Sequence, residues 1–316
     1  MPRVRFSKMQ ACGNDFVVLD AIADEWLLDL PSARETASRL CDRRFGVGGD
    51  GVLMLVSPAA VGAEGAEGPG GVRIGLVVLV TNADGSAPGM CVNGLRCAAR
   101  AAVEAGHVRP DEHGRIGVRI GGLDLAVSVF AEGGVFEGAS VHLPEWSVEP
   151  AAAGMSTEGL EPAGDHAWLL GGAELGDRAV AATPVFVGNP HAVVFLEEGA
   201  EPSEAVFALG PTIEGHPAFG RRANAQFVRA VGRDRAVLAT WERGVGMTLG
   251  CGSGAAAAAA AGLARGVLGP NCVVRMAGGE VVTRVDRAAG TVSVTGPAHR
   301  VFEGEADPAE VRAGAS

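Results

Sequence analysis

The stretch Gly250-Cys251-Gly252-Ser253-Gly254 runs directly into seven consecutive alanines, Ala255 through Ala261. Alanine combines the highest helix propensity with almost no side-chain volume, so such a helix can lie where other backbone crowds it on every side. The glycines before it permit a sharp turn and leave the N–H groups of the first helical turn open. That end of a helix carries partial positive charge and suits a carboxylate or a phosphate. Cys251 stands there, where the same field lowers a thiol's pKa. Taken alone, the motif reads equally well as a buried structural cysteine beside a tight turn.

The chain repeats the arrangement. Cys91-Val92-Asn93-Gly94 opens the alanine-rich segment Leu95-Arg96-Cys97-Ala98-Ala99-Arg100-Ala101-Ala102. Each Cys-x-x-Gly follows a Gly-Asn element, Gly13-Asn14-Asp15-Phe16 in the first half and Gly188-Asn189-Pro190-His191 in the second. The order Gly-Asn, then Cys-x-x-Gly, implies two similar halves. Each would place one cysteine at a helix N-terminus, with a cleft shared between them. A length of 316 residues suits two cores better than one.

Composition narrows the function classes. With 47% hydrophobic and 20% charged residues the chain reads as a soluble globular protein. It has no apolar run of membrane-spanning length, and Met1 to Lys8 lacks the apolar core of a signal peptide. A cytoplasmic location is therefore expected, with no membrane partner. A net charge of −11 argues against nucleic-acid binding but not against a small anionic ligand held by local arginines. Six cysteines in such a chain suggest neither a disulfide framework nor, at these spacings, a metal site. Lys8 is the single lysine, far in sequence from both Cys-x-x-Gly motifs. A pyridoxal phosphate enzyme needs a Schiff-base lysine at its site, so no such cofactor is expected.

Short strands are expected at Val4–Phe6, Phe16–Leu19, Val52–Val56 and Val72–Val80, and a helix over Pro31–Leu40 capped by Asp29 or Ser32. The segment Ser57–Gly71 reads as an exposed loop. Hairpins are expected around Gly121-Gly122 and Gly278-Gly279. A strand should begin at Val141. Pro150–Asp177 reads as irregular, further strands fall at Val185–Val187, Ala192–Leu196, Asn224–Val228 and Ala236–Trp241, and Glu310–Ser316 reads as a frayed tail. Many short strands with few helices give an α+β fold rather than alternating βα units. The loop Cys41 to Gly51 contains a GxGGDG pattern, but it lacks the strand–loop–helix order and the lysine of a phosphate loop.

Two cysteines at helix N-termini suit removal of a proton from carbon on one face and its return on the other. A substrate carboxylate between the two helix ends, on N–H groups near Asn93, Gly94, Gly252 and Ser253, would have its developing charge stabilised. One sulfur must start as thiolate and the other as thiol, so their titrations are coupled. Glu242 and His191 are candidates for tuning the thiols. His191 reads equally as a turn residue, and Glu242-Arg243 as a surface ion pair. Asn14, Asn82, Asn189 and Asn224 read equally as turn supports.

Taken together, the blocks GNDFVVLD (13–20), CDRRFGVGGDG (41–51), NADGS (82–86), MCVNGLRC (90–97), VGNPHAVVF (187–195), NAQFV (224–228) and ERGVGMTLGCGSGA (242–255) resemble the diaminopimelate epimerases over nearly the whole chain. The resemblance implies two similar α+β domains, each a curved, mostly antiparallel sheet wrapped around a central helix. The active site would lie in the cleft between them. The expected division is residues 1–135, with about 298–316 returning to them, and 136–297. It implies a cofactor-independent isomerase that interconverts LL- and meso-diaminopimelate, a small-molecule substrate, on the route to lysine and cell wall. By the same resemblance Cys91 and Cys251 are the catalytic thiols, and His191 and Glu242 assist proton transfer. Asn14, Asn82, Asn189, Asn224 and Arg243 hold the substrate, largely at its distal end, while Asn93, Gly94, Gly252 and Ser253 cradle the carboxylate at the reacting centre. The oligomeric state stays open, a homodimer being one option.

Three positions depart from the family pattern. Val92 replaces a usual glycine, and a β-branched residue disfavours positive φ and narrows the pocket. Met247 replaces a usual glutamate, removing a charge expected near the second thiol. Gln10-Ala11-Cys12 replaces the commoner His-Gly-Leu. A related two-cysteine epimerase of another amino acid is the alternative reading. Proline-type racemases share the two-thiol logic without this asparagine–arginine set. A weakly active homologue kept as a binding protein is the reading from a different class.

Overall fold

Several segments are apolar in unbroken runs, such as Gly-Val-Leu-Met-Leu-Val at 51–56 and Ile-Gly-Leu-Val-Val-Leu-Val at 74–80. Runs of this kind form strands covered on both faces. The computed structural model, which describes residues 3–30, 32–172 and 175–307, shows how they are covered. The chain forms two compact units, one from its start to His142 together with the stretch from Gly296 onward, the other from Leu143 to Thr295.

The first unit contains β1 (Val4–Ala11), β2 (Asn14–Asp20), α1 (Ala33–Leu40), β3 (Gly51–Val56), β4 (Ile74–Asn82), α2 (Val92–Glu104), β5 (Arg115–Ile120), β6 (Leu123–Glu132) and β7 (Val135–Leu143). Along the ladder, β1–β2, β3–β4, β5–β6 and β6–β7 are antiparallel, whereas β2–β3 and β4–β5 are parallel. The second unit contains β8 (Trp168–Gly172), β9 (Gly176–Phe186), β10 (Pro190–Phe195), α3 (Pro202–Glu214), β11 (Asn224–Ala230), β12 (Arg235–Glu242), β13 (Gly246–Thr248), α4 (Gly252–Ala264), β14 (Asn271–Met276), β15 (Gly279–Asp286) and β16 (Thr291–Gly296). Its ladder repeats the same alternation: β9–β10 antiparallel, β10–β11 parallel, β11–β12 antiparallel, β12–β14 parallel and β14–β15–β16 antiparallel. The chain then returns as β17 (His299–Ala306), antiparallel to β1. The duplication hinted at by two short motifs is thus a duplication of the whole strand plan.

Each sheet is covered on both faces. In the first unit Ala37 and Leu40 of α1 pack with Val17, Leu19, Val52, Val56 and Val77. Helix α2 lies against β1, β2, β3, β4 and β6. In the second unit Val206 and Ile213 of α3 pack with Ala192, Val194, Ala225 and Phe227, and α4 lies against β9 to β12, β14 and β15. Residues Gly252 to Gly262 of α4 are all buried. That is why seven alanines stand there: a helix surrounded on all sides needs no amphipathic stripe, and any larger side chain would overpack its surroundings by about 1–3 kcal/mol.

The differences from the sequence expectations are local. Val141–Leu143 ends β7 rather than beginning a strand, and Pro150–Asp177 contains β8 and the start of β9. Ser32, not Asp29, caps α1, its hydroxyl accepting from the Glu35 N–H at 3.3 Å. Helix α3 had no sequence signal, since Gly210 and Pro211 interrupt its pattern. The expected helix start at Pro31 and the expected tail at 310–316 lie outside the described residues. Among the described residues no helix is long and apolar enough to cross a membrane.

Candidate active site

Both cysteines of the Cys-x-x-Gly motifs are helix N-caps. Cys91 caps α2 and Cys251 caps α4, each with extended backbone before the first helical residue. In each case the sulfur accepts the N–H of the glycine three residues on, at 3.3 Å from Gly94 and 3.3 Å from Gly254. A sulfur thus fills the place of the usual serine or aspartate oxygen. The glycines are required sterically. A Cβ on Gly94 would lie 3.0 Å from Leu53 and 3.1 Å from the Cys91 sulfur, and a Cβ on Gly254 would lie 2.5 Å from the Gln226 amide oxygen. Gly254→Ala is therefore expected to destabilise the second unit by about 2–3 kcal/mol, and Gly94→Ala by less, read as the shift in urea midpoint.

In the first unit the half-buried Cys91 thiol lies 3.9 Å from the Asn14 Oδ1. Asn14 donates through Nδ2 to Asp50 at 2.7 Å, and Arg43 bridges Asp50 and Asp15. Burial alone would raise Asp15, but Arg43 and Lys8 hold it at about 2. The one lysine is thus a buried ion-pair partner of Asp15, further held by the Gly48 carbonyl. Asn82 ends β4 and donates to the Ser86 hydroxyl at 2.9 Å. Asn93 is buried in the first turn of α2, its Oδ1 accepting from Arg96 at 2.6 Å.

Arg96 carried no sequence signal beyond being a charge inside an alanine-rich helix. It is fully buried, bonded to Asn93, the Pro297 carbonyl and the Cys12 sulfur, while its Nη1 has no hydrogen-bond partner. Cys12 itself takes a left-handed backbone at φ 52°. Val92 is accommodated without strain: it opens α2 with ordinary helical backbone and is not among the residues of positive φ.

In the second unit strand alternation assembles a polar row. Residues i and i+2 of a strand share a face, so Asn224 and Gln226 on β11 and Thr240 and Glu242 on β12 form two pairs, beside His191 of β10 and Asn189 in the turn before it. His191 is fully buried on β10 beside Asn224 of β11, and Gln226 sits opposite Thr240 of β12. The His191 ring is bonded at both nitrogens, Nδ1 to the Gln226 amide at 3.1 Å and Nε2 to the Asn189 Oδ1 at 2.9 Å. Burial, aided by Arg243, lowers its pKa to about 3, so the ring is neutral near pH 7. His191, expected to assist proton transfer, is thus a neutral ring held at both nitrogens, by Gln226 and by Asn189.

Asn224 accepts the Arg243 N–H at 2.8 Å and donates to the Pro190 carbonyl at 3.3 Å. Arg243 reaches the Arg221 carbonyl at 3.0 Å. Beneath this turn the buried Glu214 accepts from the Gly244 N–H at 2.8 Å and the Trp241 indole at 2.7 Å, and pairs with Arg222 at 2.9 Å. Glu214 lies on the unread helix α3, so no sequence signal marked it.

Cys251 is buried, its sulfur 3.4 Å from the Ser253 hydroxyl, with Gly252 between them as the first residue of α4. Burial first, and the Glu242 carboxylate second, raise its pKa well above the ordinary thiol value; Ser253 and the Gly254 N–H oppose this and lose. At Cys251 desolvation outweighs the field of the helix end and favours the thiol form. Glu242 accepts from the Thr248 hydroxyl at 2.6 Å. Because Thr248 faces Glu242, the neighbouring Met247 points to the opposite face of β13, paired with Trp241. The charge missing at Met247 is missing from the other side of the sheet. The remaining thiols are bystanders: burial pushes Cys41 and Cys97 up to about 12 and Cys272 to about 11. All six cysteines are free, and among the described residues no cluster of three or more His, Cys, Asp or Glu side chains could hold a metal ion.

The chain is similar to known proteins over nearly its whole length. A family model described as diaminopimelate epimerase matches residues 6–142 and 183–301. The diaminopimelate epimerase of Cupriavidus taiwanensis is 37% identical over 311 residues, covering 98% of this chain and 100% of that protein. That of Heliobacterium modesticaldum is 34% identical, covering 96% and 99%. The fold is shared more widely. A hydroxyproline epimerase from Agrobacterium vitis superposes with a TM-score of 0.68 at 15% identity, covering 98% of this chain and 94% of that one. A Bacillus anthracis phenazine biosynthesis protein of the PhzF family gives 0.61 at 12% identity, covering 97% and 100%. With the family model spanning both units and full-length relatives above 30% identity, the chain belongs to the diaminopimelate epimerase family.

Proposed function

We propose that the protein is an amino-acid epimerase that interconverts LL- and meso-diaminopimelate by two-base proton transfer at the α-carbon, with one thiol removing the proton and the other returning one. The observation that carries the reading is the pair of N-cap cysteines, Cys91 and Cys251, on the duplicated helices of a chain in this family. With Cys251 held protonated by burial and Glu242, Cys251 is the resting proton donor and Cys91 the base. At either helix a substrate carboxylate on the first turn would compete with that helix's cysteine sulfur for the glycine N–H. The carboxylate-binding positions are Asn93 and Gly94 on the first helix and Gly252 and Ser253 on the second. Glu242 holds the Cys251 proton in register. Asn14, Asn82, Asn189, Asn224 and Arg243 take the distal amino-acid end.

The chemistry proposed needs neither pyridoxal phosphate nor metal. Lys8, the one lysine, is tied to Asp15 and offers no free amine for a Schiff base. A thiol–thiolate pair works in a reducing compartment, which supports a cytoplasmic enzyme. The test is α-proton exchange in deuterated water under reducing conditions, followed by NMR, with diaminopimelate beside a panel of other amino acids and no added cofactor. Exchange with inversion of diaminopimelate is expected. Exchange of a different amino acid alone would overturn the substrate, and no exchange with any of them would overturn the enzymatic reading.

A further inference from the structure

The polar row of the second unit contains a buried side chain with no assigned task. Gln226 is fully buried at the centre of β11 and touches three elements at once. The Thr240 hydroxyl donates to its Oε1 at 2.7 Å, its Nε2 meets the His191 Nδ1 at 3.1 Å, and its oxygen is the amide atom nearest the α-carbon side of Gly254. Burying a primary amide without partners costs about 1–3 kcal/mol, so a fully buried glutamine with both ends engaged has a defined orientation.

Two orientations would complete a chain of hydrogen bonds, and they differ in what they offer at its far end. With the oxygen toward Thr240 and α4, the amide nitrogen donates to the His191 Nδ1. The Nε2–H then donates to the Asn189 Oδ1, turning the Asn189 amide donors away from the ring. With the glutamine reversed, every bond reverses, and Asn189 presents its oxygen instead. The first is favoured by the surroundings of the glutamine oxygen, which accepts the Thr240 hydroxyl. The Gln226 oxygen is also the amide atom closer to the first turn of α4, 2.5 Å from a Cβ placed on Gly254 against 2.9 Å for the nitrogen, and the positive helix end favours an oxygen there. A neutral imidazole has one donor and one acceptor, so the glutamine's choice propagates to Asn189 without loss.

We infer that Gln226 is a positioning residue that fixes the Nε2–H tautomer of His191 and so makes Asn189 a hydrogen-bond donor, which selects a carboxylate over an ammonium group at that point of the substrate. The substrate part of this inference rests on the proposed function; the tautomer does not. The relay runs Thr240 to Gln226 to His191 to Asn189, over three adjacent strands and the turn before β10. The ring's neutrality, imposed by burial and by Arg243, is consistent with it. The relay also explains why Gly254 must lack a side chain, since a methyl group there would displace the Gln226 amide.

The test is nitrogen NMR of the full-length protein labelled with 15N-histidine, the His191 signals being identified by their disappearance in His191→Asn. An unprotonated Nδ1 and a protonated Nε2 are expected between pH 6 and 8; a protonated Nδ1 in the wild-type protein would overturn the inference without any variant having to fold. In Gln226→Glu the ionised carboxylate can only accept, so the Nδ1 signal is expected to move to the protonated position. An unmoved signal, with the infrared band of the introduced carboxyl showing it ionised, would also overturn it. Kinetically, Gln226→Leu is expected to raise KM for diaminopimelate about tenfold with kcat changed less than threefold, as loss of uniform binding requires. A fall in kcat with KM unchanged would overturn the assignment to substrate positioning. If diaminopimelate is not turned over at all while the wild-type tautomer is as stated, the proposed function fails and the relay stands.

Discussion

Replacing either Cys91 or Cys251 by alanine is expected to lower epimerisation of diaminopimelate by about 10³-fold or more, the range that loss of a positioned acid or base produces. The structure adds a complication, because each cysteine is also a helix cap. Alanine removes the sulfur that accepts the Gly94 or Gly254 N–H, at a cost of about 1 kcal/mol. Serine separates the two effects. A hydroxyl caps a helix at least as well as a thiol, yet its much higher pKa makes it a poor base. Cys91→Ser and Cys251→Ser are therefore expected to unfold at the wild-type urea midpoint or slightly above it while losing activity as completely as the alanine variants. Either serine variant retaining a tenth of wild-type kcat/KM would overturn the two-base mechanism. The two positions are not equivalent. Cys251 is held protonated by its burial and by Glu242, so Glu242→Gln removes the second cause of that shift and leaves the first.

How much of this was legible beforehand divides by the range of the interactions involved. Helices α2 and α4 were readable because glycine-to-alanine transitions are local signals, and the N-cap role of Cys91 and Cys251 follows from three-residue spacing alone. The hairpin turn at Gly121-Gly122 was readable for the same reason, both residues having positive φ. Helix α3 was not, because Gly210 and Pro211 break its pattern and packing of Val206 and Ile213 against β10 and β11 supplies what propensity does not. The supporting side chains were invisible for a different reason. Gln226, Thr240 and Glu214 act across neighbouring strands or from α3, so their partners are far away in sequence. The signal that could have found two of them was present: polar residues at i and i+2 in Asn224-Ala225-Gln226 and Thr240-Trp241-Glu242, inside strands that are otherwise apolar. What Val92 and Met247 do to the backbone and to the surroundings of Glu242 depends on direction, which a sequence does not carry. Val92 has helical backbone, and Met247 lies on the face away from Glu242.

Arg243→Ala is expected to reduce kcat/KM for diaminopimelate by about 10²- to 10³-fold, mostly through KM, because truncating the arginine of a bound carboxylate pair costs about 3–4 kcal/mol. This arginine is held at several points. Its backbone N–H is fixed by Asn224, the next N–H by the buried Glu214, and one guanidinium nitrogen by the Arg221 carbonyl. Among the described residues no carboxylate forms an ion pair with it, whereas the neighbouring Arg222 is paired with Glu214. A guanidinium whose stem is held at several points and whose charge is left uncompensated is prepared for an anion that arrives from outside. Diaminopimelate carries a second carboxylate far from its reacting carbon; a monofunctional amino acid does not. The expected pattern is therefore selective. Arg243→Lys keeps the charge but not the planar fork and should recover part of the loss, while residual turnover of amino acids lacking a distal carboxylate should be unchanged. Loss of both activities in equal measure would mean that Arg243 holds the turn rather than the substrate, and an undiminished kcat/KM for diaminopimelate would mean that the distal carboxylate is bound elsewhere or that another amino acid is the substrate.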